Sequence, residues 1–232
     1  MIAARVAAVR ERIARAAARA GRKPEEVTLV AVSKTFPADA VREAFTAGLR
    51  DFGENKVQEA EGKAKALGDL RASGLRLHLV GHLQKNKARK AVAIFDMVQS
   101  IDELELARDL GRHAAEQGKV LQALVQVDLA GEETKFGLAE ALLFPTLEKL
   151  RAFKSLHVRG LMVLPPFAES PETSRPFFRR LRDLRDRAVR ESLLLGAELS
   201  MGMSHDLDVA VEEGATIVRV GTALFGERAK KG

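Results

Sequence analysis

Residues 28–36 read TLVAVSKTF. The run from Thr28 to Val32 is apolar and rich in β-branched residues, and it is short enough for a strand. It shows no regular polar alternation, which is the pattern of a strand covered on both faces, as parallel sheets produce. The run then breaks into Ser33-Lys34, where such a strand should meet solvent. An ammonium at that point is either the head of a snorkelling stem on a rim or a reactive amine held in a mouth.

Runs of the same kind recur along the chain. With 27–33 they are 50–53, 76–80, 96–100, 121–129, 157–163, 197–201 and 216–221, eight strand candidates in all. Amphipathic segments lie between most of them, at 37–48, 55–67, 84–93, 102–117, 138–152, 173–195 and 205–213. The first of these opens on Pro37 and stops at Gly48, as helices do. Strand–helix alternation predicts a parallel sheet with helical crossovers. Eight such units in 232 residues predict a (β/α)8 TIM barrel in a single domain, 1–232. A doubly wound open sheet uses the same elements and is the alternative. A helix at about 2–20 should precede the barrel. Its period of Ile2, Val6, Val9 and Ile13, together with Glu11, argues against a transit peptide.

Composition narrows the chemistry. Hydrophobic content is 46% and charged content 30%, as in a soluble globular protein, and no apolar run is long enough to span a membrane. The chain has no cysteine, which excludes disulfides, thiolate catalysis and zinc–thiolate sites and points to the cytoplasm. It also has no tyrosine and no tryptophan, so no phenol can act as a base. The net charge of +6 is interleaved with acids along helices such as FFRRLRDLRDRAVRE (177–191). No aromatic–basic RNA-binding motif accompanies it, so nucleic acid is not an expected partner.

A barrel carries its site at the C-terminal ends of its strands. Here those ends collect polar and small residues: Ser33-Lys34, Glu54-Asn55, His82 and Asn86, Asp128, GLMVLPP (160–166), LSMGMSHD (199–206) and RVGTALFGER (219–228). The last two strands carry the clearest signal. Ser200 and Ser204 bracket Gly202, and Gly221-Thr222 opens a short terminal helix. Glycine permits close backbone approach, hydroxyls and first-turn N–H groups suit an anion, and barrels often hold phosphate there. Lys34 stands on the strand that meets the last one when the barrel closes. An amine facing a phosphate site suits an aldehyde that carries a phosphate, and pyridoxal 5'-phosphate (PLP) is one. Arg219 interrupts the buried run TIVRVG and needs either a carboxylate partner or a ligand. At a pyridine nitrogen it would keep that nitrogen unprotonated and weaken the ring as an electron sink. His78 and His82 lack a third ligand at metal spacing and read as core or loop histidines, so no metal is expected. Lys135, in GEETKFG (131–137), reads as a solvated charge or a contact at the mouth.

Eight ordered motifs carry a resemblance: AVSKTFP, FGENKVQE, HLVGHLQKNK, VQSID, GEETKFG, RGLMVLPP, LSMGMSHD and VRVGTALFGER. Together they resemble the signatures of the pyridoxal phosphate homeostasis protein family from about residue 5 to 228. The resemblance implies a (β/α)8 barrel similar to the N-terminal domain of alanine racemase, with PLP bound as an internal aldimine. By motif, Lys34 matches the aldimine lysine and Asn55 the polar residue beside the cofactor. Ser200, Gly221 and Thr222 match the phosphate positions, with Met201 and Ser204 in the same loop, and Arg219 matches the pyridine-nitrogen partner. The family implies a carrier or buffer of the cofactor, with PLP-dependent apo-enzymes as possible partners and no established turnover. Two departures lie near the mouth: Asp128 where asparagine is frequent, and His205 where an acid or small residue is usual. His82, Lys135 and His205 are candidate mouth residues, and a monomer is expected.

Two catalytic alternatives use the same lysine. A PLP-dependent amino-acid racemase would need a second base. The missing tyrosine, and a chain that stops soon after the last strand, count against it. An aldolase-like barrel would need an acid–base partner, for which Glu54 is the nearest candidate.

Overall fold

The structure, a computed structural model, describes residues 1–131 and 136–227. Among the described residues nine strands are present: β1 Thr28–Val32, β2 Asp51–Glu54, β3 Arg76–Leu79, β4 Met97–Ile101, β5 Leu121–Asp128, β6 Leu138–Ala139, β7 Leu156–Met162, β8 Glu198–Ser200 and β9 Ile217–Val220. The helices are α1 Ile2–Arg19, α2 Ala38–Thr46, α3 Val57–Ala66, α4 Gly68–Ala72, α5 Ala88–Ile94, α6 Leu104–Glu116, α7 Leu143–Leu150, α8 Arg175–Arg190, α9 Leu207–Glu212 and α10 Thr222–Phe225. All strand pairings are parallel. β1 lies between β2 and β9, and β4 pairs with β5, so the sheet closes on itself. Eight strands form the (β/α)8 barrel, and β6 is a two-residue addition beside β5. Among the described residues, no helix is long and apolar enough to cross a membrane.

Two cores follow from the strand period of two. Outward residues such as Leu29, Ala31, Phe52, Leu77, Leu161 and Val218 pack against the apolar faces of the helices. Inward residues Val30, Leu124, Met162 and Ile217 make a small second core inside the barrel. Much of the remaining interior is polar: Asp51, His78, Gln99, Gln126, Ser200 and Arg219 are all buried. Helix α1 buries Ile2, Val6, Val9, Ile13, Ala16 and Ala17, as its period predicts, and packs across α9 and α10.

Helix boundaries differ from the sequence-based expectation in several places, among them the start expected at 84, where α5 begins only at Ala88. Helix 138–152 begins instead at Leu143, because Leu138 and Ala139 pair with Val127 and Asp128 of β5. Pro145 suits a first turn but would break a helix already two turns long. Helix 55–67 yields to a second short helix, α4, after buried Leu67. Helix 173–195 ends at Arg190, ahead of Ser192 at φ 55.

Candidate functional site

Lys34 is half-buried just past the C-terminal end of β1, and the residues on either side of it are tied down. The Ser33 N–H donates to Gly53 O at 3.0 Å, and its hydroxyl donates to Glu54 Oε1 at 2.6 Å. Thr35 adopts φ 70, a left-handed conformation that a β-branched residue rarely takes. Its N–H donates to Glu59 Oε1. Lys63 joins both sides: its Nζ donates to Ser33 O at 2.6 Å, Glu54 Oε1 at 2.7 Å and Glu59 Oε1 at 2.8 Å. Phe36 then stacks on Phe225 of α10, ring centroids 5.1 Å apart. The turn that presents Lys34 is thus held by a buried Glu54–Lys63–Glu59 clamp. Burial pushes the Glu54 carboxyl above its ordinary range, against the opposing pull of Lys63 and Ser33. Burial also presses on Glu59, but hydrogen bonds from Lys63 and Thr35 hold it below the ordinary value.

The loops after β8 and β9 are built around Gly202, Asp206 and Ser204. Gly202 has φ +89, and a Cβ there would lie 2.4 Å from Ala210 Cβ, so only glycine fits. Asp206, buried, accepts from Met203 N–H at 2.7 Å and from the Ser174 hydroxyl at 2.9 Å. Ser204 Oγ accepts from Ala223 N–H at 3.3 Å, which ties this loop to the first turn of α10. Arg12 of α1 donates to Ser204 O at 3.0 Å and pairs with Asp208, holding the loop from behind. Gly221 has ordinary contacts only, the nearest to its would-be Cβ being Val32 O at 3.4 Å, and Thr222 beside it is exposed. An anion would meet hydroxyls and first-turn N–H groups there, with α1 as the buttress.

Arg219 is 3% exposed and points into the barrel. Burial lowers its pKa to about 10, partly offset by Asp206. Among the described residues no carboxylate is bonded to it, and Asp206 acts on it only through its charge. Instead its Nη2 donates to Val163 O at 2.9 Å and its Nη1 to Ser200 Oγ. An arginine–glutamate pair inside the barrel, one of the two readings of this position, is therefore not what the structure contains. The donor set fits PLP: an amine on β1, a buried guanidinium on the adjacent β9, and an open glycine–threonine step at the end of β9.

The other candidates are spread around the mouth. Asn55 follows β2, half-buried, and Gly81 approaches it closely: a Cβ on Gly81 would lie 2.5 Å from Asn55 O. The Ser200 hydroxyl is engaged by Arg219 and Gln99, so Ser204 is the serine that touches α10. Met201 places its side chain in the outer core, leaving its backbone to the loop. His82 pairs with Asp102 at 2.9 Å and stacks on Phe136, with centroids 3.6 Å apart. His205 leans on Phe167 at 5.7 Å. Asp128 Oδ1 accepts from Ala130 and Gly131 N–H, each at 3.0 Å, a turn that an asparagine oxygen would hold equally well. Lys135 lies outside the described residues. Among those described, no group of three His, Cys, Asp or Glu side chains could hold a metal ion.

Lys63, Glu59, Asp206, Arg12 and Gln99 escape sequence reading. Lys63 leaves one trace: it falls on the buried stripe of α3 with Val57 and Ala60.

Comparison with known proteins agrees with the fold. The model of the alanine racemase N-terminal domain matches residues 5–229. The pyridoxal phosphate homeostasis protein of Aquifex aeolicus is 44% identical over 224 residues, covering 97% of each chain. That of Pseudomonas aeruginosa is 45% identical over 228 residues, covering 98% of this chain and 96% of its own. The chain belongs to the pyridoxal phosphate homeostasis protein family. The structure of PipY from Synechococcus elongatus PCC7942, solved with PLP bound, superposes at a TM-score of 0.86 and 42% identity, covering 97% of this chain and all of that one. For this family member the likeness to that structure extends over 97% of the chain.

Proposed function

We propose that this chain binds PLP, holds it reversibly through Lys34, and buffers or delivers it to PLP-dependent apo-enzymes without turnover of its own. One observation carries the reading. Lys34 and Gly221-Thr222 end adjacent strands, and Arg219 stands two residues inside that end, in a barrel alike over 97% of its length to a PLP-bound relative. PLP would supply an aldehyde that joins an amine with loss of water, together with a ring that can draw electrons from an attached carbon. The protein's part is to position and to restrain. The clamp around Ser33 and Thr35 aims the Lys34 stem. Arg219 is a cation, so at the ring nitrogen it can donate a hydrogen bond but cannot receive that position's proton. The loops after β8 and β9 would take the phosphate through Ser204, Gly221 and Thr222. Asn55 stands at the end of β2, on the other side of β1.

Protein loaded with PLP should absorb in the visible and, after borohydride reduction, carry the added mass on Lys34. Lys34→Ala should do neither. Loaded protein mixed with a PLP-dependent apo-enzyme should activate it at a rate different from that of free PLP. Reduction that labels another lysine, or sustained conversion of L- to D-alanine lost in Lys34→Ala, overturns the carrier reading.

A further inference from the structure

A line of hydrogen-bonded side chains runs through the barrel interior behind Arg219. Arg219 Nη1 donates to Ser200 Oγ, and Ser200 Oγ donates to Gln99 Oε1 at 2.6 Å. Gln99 Nε2 lies 3.0 Å from His78 Nδ1, and His78 Nε2 lies 2.8 Å from Asp51 Oδ1. Asp51 is also held by Arg76, at 2.8 and 2.7 Å, at the opposite mouth. Ser200 and Gln99 are 0% exposed, and His78 5%.

For a His78 ring that carries one proton, the two ends fix every hydrogen between them. A guanidinium can only donate and a carboxylate can only accept. His78 must therefore carry its proton on Nε2, facing Asp51, and its Nδ1 must accept from the Gln99 amide. Gln99 Oε1 is then turned to Ser200, whose hydroxyl donates to it and accepts from Arg219. All four bonds run the same way, an arrangement in which each strengthens the next. A second proton on His78 would set N–H against N–H at Gln99. If the amide then turned over, Ser200 would receive two donors and its own hydrogen would lose its acceptor.

We propose that Gln99 and His78 are positioning residues for Arg219: through Ser200 they fix how the guanidinium is presented to the ring of bound PLP. The inference rests on the reading of Arg219 as the ring-nitrogen partner. Asp51, anchored by Arg76, sets the direction of the whole line.

The test compares Gln99→Leu, Gln99→Glu and wild type. In apo protein, nitrogen NMR should find His78 in the Nε2–H form. Gln99→Glu keeps an acceptor toward Ser200, so that hydroxyl stays bonded. In loaded protein, Gln99→Leu should shift the absorption band of bound PLP and its pH midpoint, and should speed release about five- to tenfold. Gln99→Glu should restore slow release. A role in core packing alone would lower the melting temperature and leave band and midpoint in place. That result, or His78 found in the Nδ1–H form, overturns the proposal. If Gln99→Leu does not fold, Gln99→Glu and Ser200→Ala carry the same readouts. Wild-type protein that takes no PLP on Lys34 would instead remove the underlying reading, while the NMR arm still reports on the line itself.

Discussion

Lys63 Nζ lies 2.6 Å from the carbonyl oxygen of Ser33, so a buried ammonium on α3 holds the peptide that leads into Lys34. The same ammonium binds Glu54, which is 0% exposed, and Glu59, which holds the peptide N–H of Thr35. One lysine thereby braces the backbone on both sides of another.

Removing one member of that clamp should cost more than removing two. Lys63→Met leaves the Glu54 carboxylate buried without its cation, which costs about 3–5 kcal/mol. Adding Glu54→Gln should recover a large part of the loss, since the uncompensated charge is gone. Urea unfolding of the two single variants and the double variant measures the coupling. Additive losses would mean that the two groups do not act as a pair.

Stability should carry the mark of Glu54 in its pH dependence. Burial raises this carboxyl above its ordinary 4.5. Between that value and the raised one, the folded protein holds a proton the unfolded chain has released, so stability falls as pH rises through the window. Asp51 and Glu59 act the other way. Burial presses them up, but His78 and Arg76 in one case and Lys63 in the other hold them low, so their contribution is lost as pH falls through the folded values. Glu54→Gln removes only the first effect. Its unfolding free energy relative to wild type should improve with rising pH across the window and stay level beyond it. A difference independent of pH throughout would show that Glu54 ionises in the fold at its ordinary value.

Two glycines of the proposed phosphate region should respond differently. Gly202→Ala forces a Cβ to 2.4 Å from Ala210 at φ +89 and should destabilise by about 2–4 kcal/mol. Gly221 has negative φ and ordinary clearance, so Gly221→Ala should fold normally yet hold PLP less tightly. Thermal melts read the first effect and equilibrium dialysis of PLP the second. Tight PLP binding by Gly221→Ala would place the ligand elsewhere.

Hydroxyl removal tests the same region from another side. Ser204→Ala with Thr222→Ala should weaken PLP retention about a hundredfold or more, since each lost hydrogen bond to a charged group is worth roughly 1.5–3 kcal/mol. The melt should shift little, because Thr222 is exposed and Ser204 makes a single long bond to Ala223. Unchanged dialysis would remove both hydroxyls from the site.

The barrel is legible in the residues because burial on both faces writes apolar runs such as β1 (TLVAV), while shorter, more polar strands such as β2 (DFGE) are legible only through the strand–helix alternation around them. Lys34, Arg219 and Gly221 are legible because each violates its surroundings: a cation ending an apolar strand, a cation inside one, a glycine before a helix. Lys63 is not, since a lysine on α3 looks like any solvated helix charge until the Ser33 carbonyl is placed beside it. Gln99 hides for the opposite reason. An amide within MVQSI differs little from a harmless strand polar until Ser200, 101 residues away, arrives across the barrel. Strand β6 lies in a stretch whose pairing with β5 no local pattern announces.

β1 carries Lys34, yet its second neighbour is β9, joined through pairs such as Thr28↔Ile217 and Ala31↔Val220. During synthesis one edge of β1 therefore waits, unzipped, while nearly the whole chain leaves the ribosome. Only the arrival of β9 seals that edge, and the same strand delivers Arg219 and leads into Gly221-Thr222. A nascent chain can form its amine-bearing turn early, but the proposed vitamin pocket is complete only at the step that closes the cylinder.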